Sequence, residues 1–222
     1  SIGDASALET AKEKIKRNYG NVDILLKPEA KAWFNKTKIV NNKYDIDKKK
    51  EGEGMKSFMD REISFVMGHR AAGWLNRPER IREEMPDDVV ANMGLESDHV
   101  VADIGAGSGY FSFRIADRVP SGKVLAVDIQ PEMLQLIERQ KTDTGVANIE
   151  GVLGQIDNPN LAPNSIDAAI MVDAYHEFSH PFEMINGIYD ALRPGGRIFL
   201  LEYRGEDDSV PIRPLHKMTE EQ

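Results

Sequence analysis

Short apolar runs alternate with amphipathic segments from residue 98 to residue 202, and this alternation constrains the fold more than any other feature. The runs predict five strands: His99–Ile104, Lys123–Asp128, Asn148–Leu153, Ile166–Val172 and Arg197–Glu202. The segments between them predict helices at Tyr110–Val119, Pro131–Thr142 and Pro181–Leu192. Strands separated by helices are joined by crossover connections. The pattern therefore predicts an α/β fold with a doubly wound, mainly parallel sheet.

The part of the chain before this alternation differs in its charged residues. Twelve of the 13 basic residues in residues 1–60 are lysines, whereas 12 of the 15 in residues 61–222 are arginines. We predict three regions: a Lys-rich N-terminal extension (1–54) without an assigned role, a helical leader or lid (55–97), and the sheet domain (98–222). In the leader, Arg61–Leu75 has the apolar spacing of a helix, and Pro86–Met93 begins with the proline and acidic residues of a helix start.

The composition excludes several classes of protein. Apolar residues make up 41% of the 222 residues, and the longest apolar stretches are about five residues, far below the ~20 of a membrane-spanning helix. No cysteine is present, which excludes disulfides, thiolate metal sites and a cysteine nucleophile, and mildly favours the cytoplasm. The net charge of −9 disfavours a general nucleic-acid binder. We expect no metal site, and the oligomeric state stays open, a dimer included.

A glycine-rich loop joins the first predicted strand to the first helix. It reads Asp103-Ile104-Gly105-Ala106-Gly107-Ser108-Gly109-Tyr110. Glycines there let the backbone approach a ligand, and the helix start offers unpaired N–H groups. The dinucleotide fingerprint fails because its sixth position holds tyrosine, and the phosphate-binding Walker loop fails because no Gly-Lys-Ser/Thr follows. The loop therefore matches neither the NAD fingerprint nor the Walker loop.

The acid-x-Gly-x-Gly-x-Gly pattern resembles motif I of class I S-adenosylmethionine-dependent methyltransferases. Further segments in the family's order strengthen the resemblance: Asp128 after the second strand, Gly154-Gln155-Ile156-Asp157 after the third, Asp173-Ala174-Tyr175-His176 after the fourth, and Leu192-Arg193-Pro194-Gly195-Gly196 before the fifth. The match covers about residues 98–203. It is most similar to the branch with the ubiquinone and menaquinone biosynthesis methyltransferases.

The resemblance implies a Rossmann-like methyltransferase fold, S-adenosylmethionine as cofactor and S-adenosylhomocysteine as product. It places cofactor contacts at Asp103, Gly105, Ala106, Gly107, Gly109, Asp128, Ile129, Gln155, Ile156, Asp157 and Asp173. The glycine loop and Asp103 would hold the methionine part, Asp128 the ribose, and the 155–157 segment the adenine. His176 is the candidate general base and Tyr175 the candidate positioning residue, with a small molecule as methyl acceptor.

Two alternatives stay open. An inactive protein could bind S-adenosylmethionine as a scaffold or regulator. His176-Glu177-Phe178-Ser179-His180 also has the form of the zinc protease motif, which needs all five residues in one helix. Pro181 disfavours helical backbone at the residue before it and suits the first turn of a following helix, so the zinc protease is disfavoured.

The family fold has two further strands beyond the fifth, and only 19 residues follow Tyr203. Thr219–Gln222 has the form of a helix capping box. We therefore expect a C-terminally truncated fragment whose fifth strand has an open outer edge.

Overall fold

The computed structural model describes residues 20–26, 44–46 and 56–219. In these residues the strands are β1 (Gly20–Leu26), β2 (Tyr44–Ile46), β3 (Lys56–Phe58), β4 (Arg61–Glu62), β5 (Val100–Ile104), β6 (Lys123–Asp128), β7 (Ile149–Leu153), β8 (Ile166–Val172), β9 (Leu192–Arg204) and β10 (Lys217–Met218). The helices are α1 (Ala72–Leu75), α2 (Arg80–Glu84), α3 (Pro86–Asn92), α4 (Tyr110–Arg118), α5 (Pro131–Thr144) and α6 (Pro181–Ala191). Short 3-10 turns cover His69–Ala71, Tyr175–Glu177 and Pro214–His216.

The main sheet has the order β1-β9-β8-β5-β6-β7, and a small antiparallel sheet joins β2, β3 and β4. Strands β5 to β9 pair in parallel and correspond to the five predicted strands. The chain leaves β5 toward β6 on one side and returns to β8 on the other. The predicted doubly wound sheet is thus confirmed, and its strand order reverses between β5 and β8.

The central strands β5, β6 and β8 are buried on both faces. Adjacent residues of β5 belong to different apolar clusters: Val101 packs with α3, α4 and α5, whereas Ala102 packs with α6. Phe111 of α4 and Ile137 of α5 lie in the first cluster, and Ile185 of α6 lies in the second. Alternate side chains of a strand point to opposite faces, so an apolar run without alternation fits a strand covered on both sides.

The predicted turn before the fifth strand is a bulge inside a longer strand. The register of β8 with β9 passes from Ile166↔Leu192 to Ala168↔Arg197, so the bulge absorbs the intervening residues. Gly195 in the bulge has φ +85°, a left-handed conformation that favours glycine.

The expected open edge of the fifth strand is wrong for this structure. β1 pairs antiparallel with β9 along seven residues, from Gly20↔Tyr203 to Leu26↔Arg197. β10 pairs with Tyr203 and Arg204, beyond the last pair that β8 makes. A segment of the N-terminal extension therefore supplies the missing hydrogen-bonding neighbour, which sequence periodicity could not show. Of the predicted capping box, residues 220–222 lie outside the described part of the chain.

The predicted helix over Arg61–Leu75 is also wrong for most of its length. After β4 the backbone is irregular up to the turn at His69, and only α1 is helical. The reason is tertiary, because Ser64 N–H donates to the carbonyl of His176 and Met67 N–H to the carboxylate of Glu177. The helix predicted at Pro86–Met93 is confirmed as α3, with its proline at the first turn. In the described ranges, no helix combines the length and apolarity that crossing a membrane requires.

Candidate functional site

A cavity of about 950 Å³ opens at the carboxyl ends of β5, β6 and β8. This is the edge at which ligands bind in doubly wound sheets, beside the reversal of strand order. Ten of the predicted site residues line it: Asp103, Gly105, Ala106, Gly107, Asp128, Ile129, Gln155, Ile156, Asp173 and His176. Three others, Gly109, Asp157 and Tyr175, are not part of the lining.

The glycine loop forms the floor of the cavity between β5 and α4. Gly105, Gly107 and Gly109 all have positive φ, at +74°, +54° and +82°. The amides of Gly105 and Ala106 both donate to the carbonyl of Val127, at 2.8 and 3.0 Å, which ties the loop to β6. A Cβ at position 105 would lie 2.7 Å from the Cβ of Ala174, closer than side chains pack. Conformation and space thus both require glycine at this position.

Asp128, the last residue of β6, holds two backbone segments beside the cavity. Its Oδ2 accepts the N–H of Gly107 at 2.9 Å, and its Oδ1 accepts the N–H of Gln130 at 2.8 Å. The side chain is buried, and burial raises the pKa of its carboxyl despite these bonds. The amide of Ile129 also bonds this carboxylate, and since a carboxylate has about four acceptor positions, capacity remains for a ligand hydroxyl.

Two further aspartates stand at the ends of β5 and β8. Asp103 accepts a hydrogen bond from Ser112 Oγ at 2.6 Å, and its burial raises its pKa to about 6. Asp173 has φ +49°, and its buried Oδ1 makes no hydrogen bond to any described residue. Burial and the charges of Glu84 and Glu202 raise the pKa of Asp173 well above its ordinary value. A strained residue with an unsatisfied buried oxygen at a cavity indicates a place for a ligand donor.

More carboxyls than guanidinium groups line the cavity, the latter being those of Arg80 and Arg213. Asp103, Asp128, Asp173 and Glu177 all line it, and burial raises the pKa of each carboxyl. Neighbouring carboxylates add to the effect, since the charge of Asp128 raises the pKa of both Asp103 and Glu177. A cationic ligand relieves such repulsion, because an opposite charge nearby favours the ionised form.

The irregular segment 63–71 closes one side of the cavity, and sequence periodicity missed this arrangement. Gln130 joins it to the start of α5: its Oε1 accepts the N–H of His69 at 2.8 Å, and its Nε2 donates to the carbonyl of Met67 at 2.8 Å. Apolar side chains from this segment, from α1 and from the residues before β10 line the same side: Phe65, Val66, Met67, Trp74, Ile212 and Leu215. This apolar wall suits a ligand with an apolar body rather than one with a polar chain.

His176 is buried within a hydrogen-bonded row of side chains, between Glu202 and His216. Its Nδ1 lies 2.6 Å from Glu202 Oε2, and its Nε2 lies 3.0 Å from Nδ1 of His216. The Nε2 of His216 lies 3.1 Å from Ser64 Oγ. Burial lowers the pKa of His176, but Glu202 and Glu177 outweigh burial and leave it above its ordinary value. His216 lies 40 residues from His176 in sequence and enters this site only through the tertiary fold.

Tyr175 does not reach the cavity. Its ring is buried against Phe178, with the Arg61 guanidinium 5.4 Å from the ring centre, and burial raises its pKa to about 12. The two histidines of the protease-like motif also do not share a helix. The backbone is extended at Phe178, and Pro181 begins α6, as its position predicted.

Residues 101–196 match the family model described as a methyltransferase domain. The chain is 31% identical over 112 residues to a ubiquinone/menaquinone biosynthesis C-methyltransferase of Pseudomonas putida, covering 50% of this chain and 44% of that protein. It is 29% identical over 112 residues to a tRNA U34 carboxymethyltransferase of Desulfotalea psychrophila, covering 50% and 34%. The chain thus spans less than half the length of these curated relatives.

Among solved structures, a SAM-dependent methyltransferase from Aquifex aeolicus superposes with a TM-score of 0.65 at 22% identity, over 69% of this chain and 82% of that one. This likeness concerns the fold. The sheet order and the glycine loop define a Rossmann-like fold. Residues 101–196 are similar in sequence to a methyltransferase domain, and the sheet has the fold of solved S-adenosylmethionine-dependent methyltransferases.

Proposed function

We propose that this chain binds S-adenosylmethionine in the 950 Å³ cavity and transfers its methyl group to a small acceptor with an apolar body. The observation that carries the proposal is the row of buried carboxyls at the ends of β5, β6 and β8. When bound, S-adenosylmethionine supplies an activated methyl group on a positively charged sulfur.

The residues of the cavity fit this cofactor. The unsatisfied Oδ1 of Asp173 and the carboxyl of Asp103 can accept from an ammonium group, and their charge complements a cation. Asp128 would hold the ribose hydroxyls, as the acid at this position does in the family. Ile129, Gln155 and Ile156 line the part of the cavity next to β6 and β7 and would flank the adenine.

The chain's contribution to the reaction is alignment and exclusion of water. The glycine loop is fixed to β6 by Val127 and Asp128, so it presents a rigid surface. The segment 63–71 covers the opposite side and is fixed by Gln130. Holding two reactants at contact distance removes most of the entropic barrier of a bimolecular displacement. Because both ring nitrogens of His176 are engaged, the proposal assigns it no proton transfer with the acceptor.

Calorimetric titration of the purified protein tests cofactor choice. We expect S-adenosylhomocysteine and S-adenosylmethionine to bind with one site per chain and NAD not to bind. NAD binding of comparable affinity, or no binding of S-adenosylhomocysteine, contradicts the proposal. A methyl-transfer screen against a metabolite extract then separates an enzyme from a protein that only binds the cofactor.

A matched pair of variants tests the site. Ile156 and Leu153 are 53% and 51% exposed, but only Ile156 lines the cavity. Ile156→Asp should weaken binding of S-adenosylhomocysteine by about tenfold or more, because it replaces an apolar contact by a solvated charge, a change of about 1.4 kcal/mol. Leu153→Asp should leave the affinity unchanged. Equal affinities in the two variants contradict the placement of the adenine.

A further inference from the structure

We propose that His176, Glu177 and His216 form a site for one divalent transition-metal ion, with zinc as the expected ion, on the acceptor side of the cavity. The two imidazoles and the carboxylate meet within 4.8 Å of one another, and all three residues line the cavity. This ligand set is not the His-Glu-x-x-His motif of the sequence, because His216 takes the place of His180.

The donor atoms form a triangle of the right size. His176 Nε2 lies 3.0 Å from His216 Nδ1, and each of these atoms lies 3.8 Å from Glu177 Oε1. A point equidistant from three atoms so arranged lies about 2.1 Å from each, which agrees with the 2.0–2.2 Å of zinc bonds to histidine nitrogen and carboxylate oxygen. Tetrahedral ligands at these bond lengths lie about 3.4 Å apart, so small side-chain shifts that open the nitrogen–nitrogen separation and close the two to Glu177 complete the geometry.

Two of the three ligands, His176 and Glu177, are held by a second partner through their other polar atom. Nδ1 of His176 donates to Glu202 Oε2, because an ionised carboxylate only accepts, and this leaves the lone pair of Nε2 facing the cluster. Oε2 of Glu177 accepts the N–H of Met67 at 3.0 Å, which leaves Oε1 for the ion. Such outer partners fix tautomer and orientation in metal sites.

Ser64 lies beside the third ligand. Its Oγ is 3.1 Å from Nε2 of His216 and 3.5 Å from Nδ1, so the hydroxyl contacts the imidazole without lying opposite the cluster. Glu202 is itself fixed, because its Oε1 accepts the N–H of Tyr175 at 2.9 Å. A simple hydrogen bond between two histidines would not require a carboxylate beside both rings and outer partners on His176 and Glu177.

The charge and the exposure of the cluster are also suitable. Glu177 and Glu202 together balance a divalent cation. The side chain of His176 is 2% exposed, whereas those of Glu177 and His216 are 14% and 26% exposed, so an ion can enter from the cavity. Two imidazoles and one carboxylate occupy three coordination positions of the ion. At least one position stays open, as in catalytic rather than structural zinc sites.

The open position gives the ion a role in choosing the acceptor, and this step rests on the proposed function. An oxygen or sulfur atom of the acceptor could occupy it, and metal coordination lowers the pKa of a bound hydroxyl or thiol. The ion-binding site itself does not depend on methyl transfer.

The experiment measures zinc binding to metal-free full-length protein by calorimetry with a competing chelator, without cofactor. We expect one zinc ion per chain. Loss of an outer partner lowers metal affinity by roughly 10- to 100-fold, so His216→Asn and Glu177→Gln, which remove ligands, should each lower the zinc affinity by more than that. Ser64→Ala should lower the zinc affinity by about tenfold. His180→Asn is the matched control and should bind zinc like the unchanged protein.

Cobalt supplies a second measurement, because its visible absorption reports the ligands around it. The bands should appear in the unchanged protein and in His180→Asn and be lost in His216→Asn. Circular dichroism checks that each variant is folded. Failure to bind one equivalent of zinc, or equal affinities of His216→Asn and His180→Asn, overturns the proposal. Binding of S-adenosylhomocysteine is measured on the same variants, so failure of the proposed function is recognised separately.

Discussion

Replacing Asp128 by alanine tests both the cofactor site and the architecture of the glycine loop. The carboxylate accepts from Gly107 and Gln130, so the variant loses two charge-assisted hydrogen bonds within the protein and the contact proposed for the ribose. Hydrogen bonds to a charged group contribute about 1.5–3 kcal/mol each. For the ligand contact alone, this predicts a dissociation constant for S-adenosylhomocysteine about 10- to 150-fold higher.

The same substitution should also lower stability. Water can enter the space that the carboxylate leaves, so we expect a loss of about 2 kcal/mol rather than the sum of both bonds. For a protein of this size that corresponds to a melting temperature about 4–8 °C lower. Calorimetric titration measures the affinity, and thermal unfolding followed by circular dichroism measures the stability.

Asp143→Ala is the control for Asp128→Ala. It removes the same charge from an exposed position of α5, outside the residues that line the cavity. We expect unchanged affinity and a melting temperature within about 2 °C, since surface changes are within about 0.5 kcal/mol. A folded Asp128→Ala protein with the affinity of this control would show that Asp128 does not bind the ribose.

Three further perturbations follow from the geometry. Gly105→Ala should destabilise the protein by about 2–3 kcal/mol and abolish cofactor binding, because the added Cβ would lie 2.7 Å from that of Ala174. Gly145→Ala has the same φ of +74° but open space around the added Cβ, so it should cost only about 1 kcal/mol. Equal losses in chemical denaturation would refute the steric argument. Burial raises the pKa of Asp103 to about 6, so between about pH 4 and 6 the folded protein keeps a proton that the unfolded chain releases. The free energy of unfolding should therefore fall over this range, by an amount on the order of 3 kcal/mol. Asp103→Asn should reduce the dependence of unfolding free energy on pH, and an unchanged dependence would contradict the assignment. Gln130→Ala should speed amide hydrogen exchange at His69, whose N–H loses its acceptor. Gln140→Ala, exposed on the same helix, should not do so, and equal exchange rates in the two variants would contradict this.

The sequence by itself determined the elements of the sheet domain. Apolar runs bounded by glycine and proline predicted β5 to β9, and the bounds of β6 and β8 agree with the prediction residue for residue. The loop Gly105–Gly109 and the acids at the strand ends predicted where the cavity lies, because parallel strands bring their carboxyl ends to one edge. These features are local, and their spacing along the chain contains the information.

Only the tertiary structure decided which distant segments complete the site. Residues 63–71 have the apolar spacing of a helix, yet hydrogen bonds to His176, Glu177 and Gln130 hold them in another conformation. The pairing of β1 with β9 and the approach of His216 to His176 likewise join residues far apart in sequence. Periodicity reports which face of an element is apolar, but not which partner covers it, since burial can be achieved by any surface of matching shape. The protein's candidate metal ligands therefore became a group only when the chain folded.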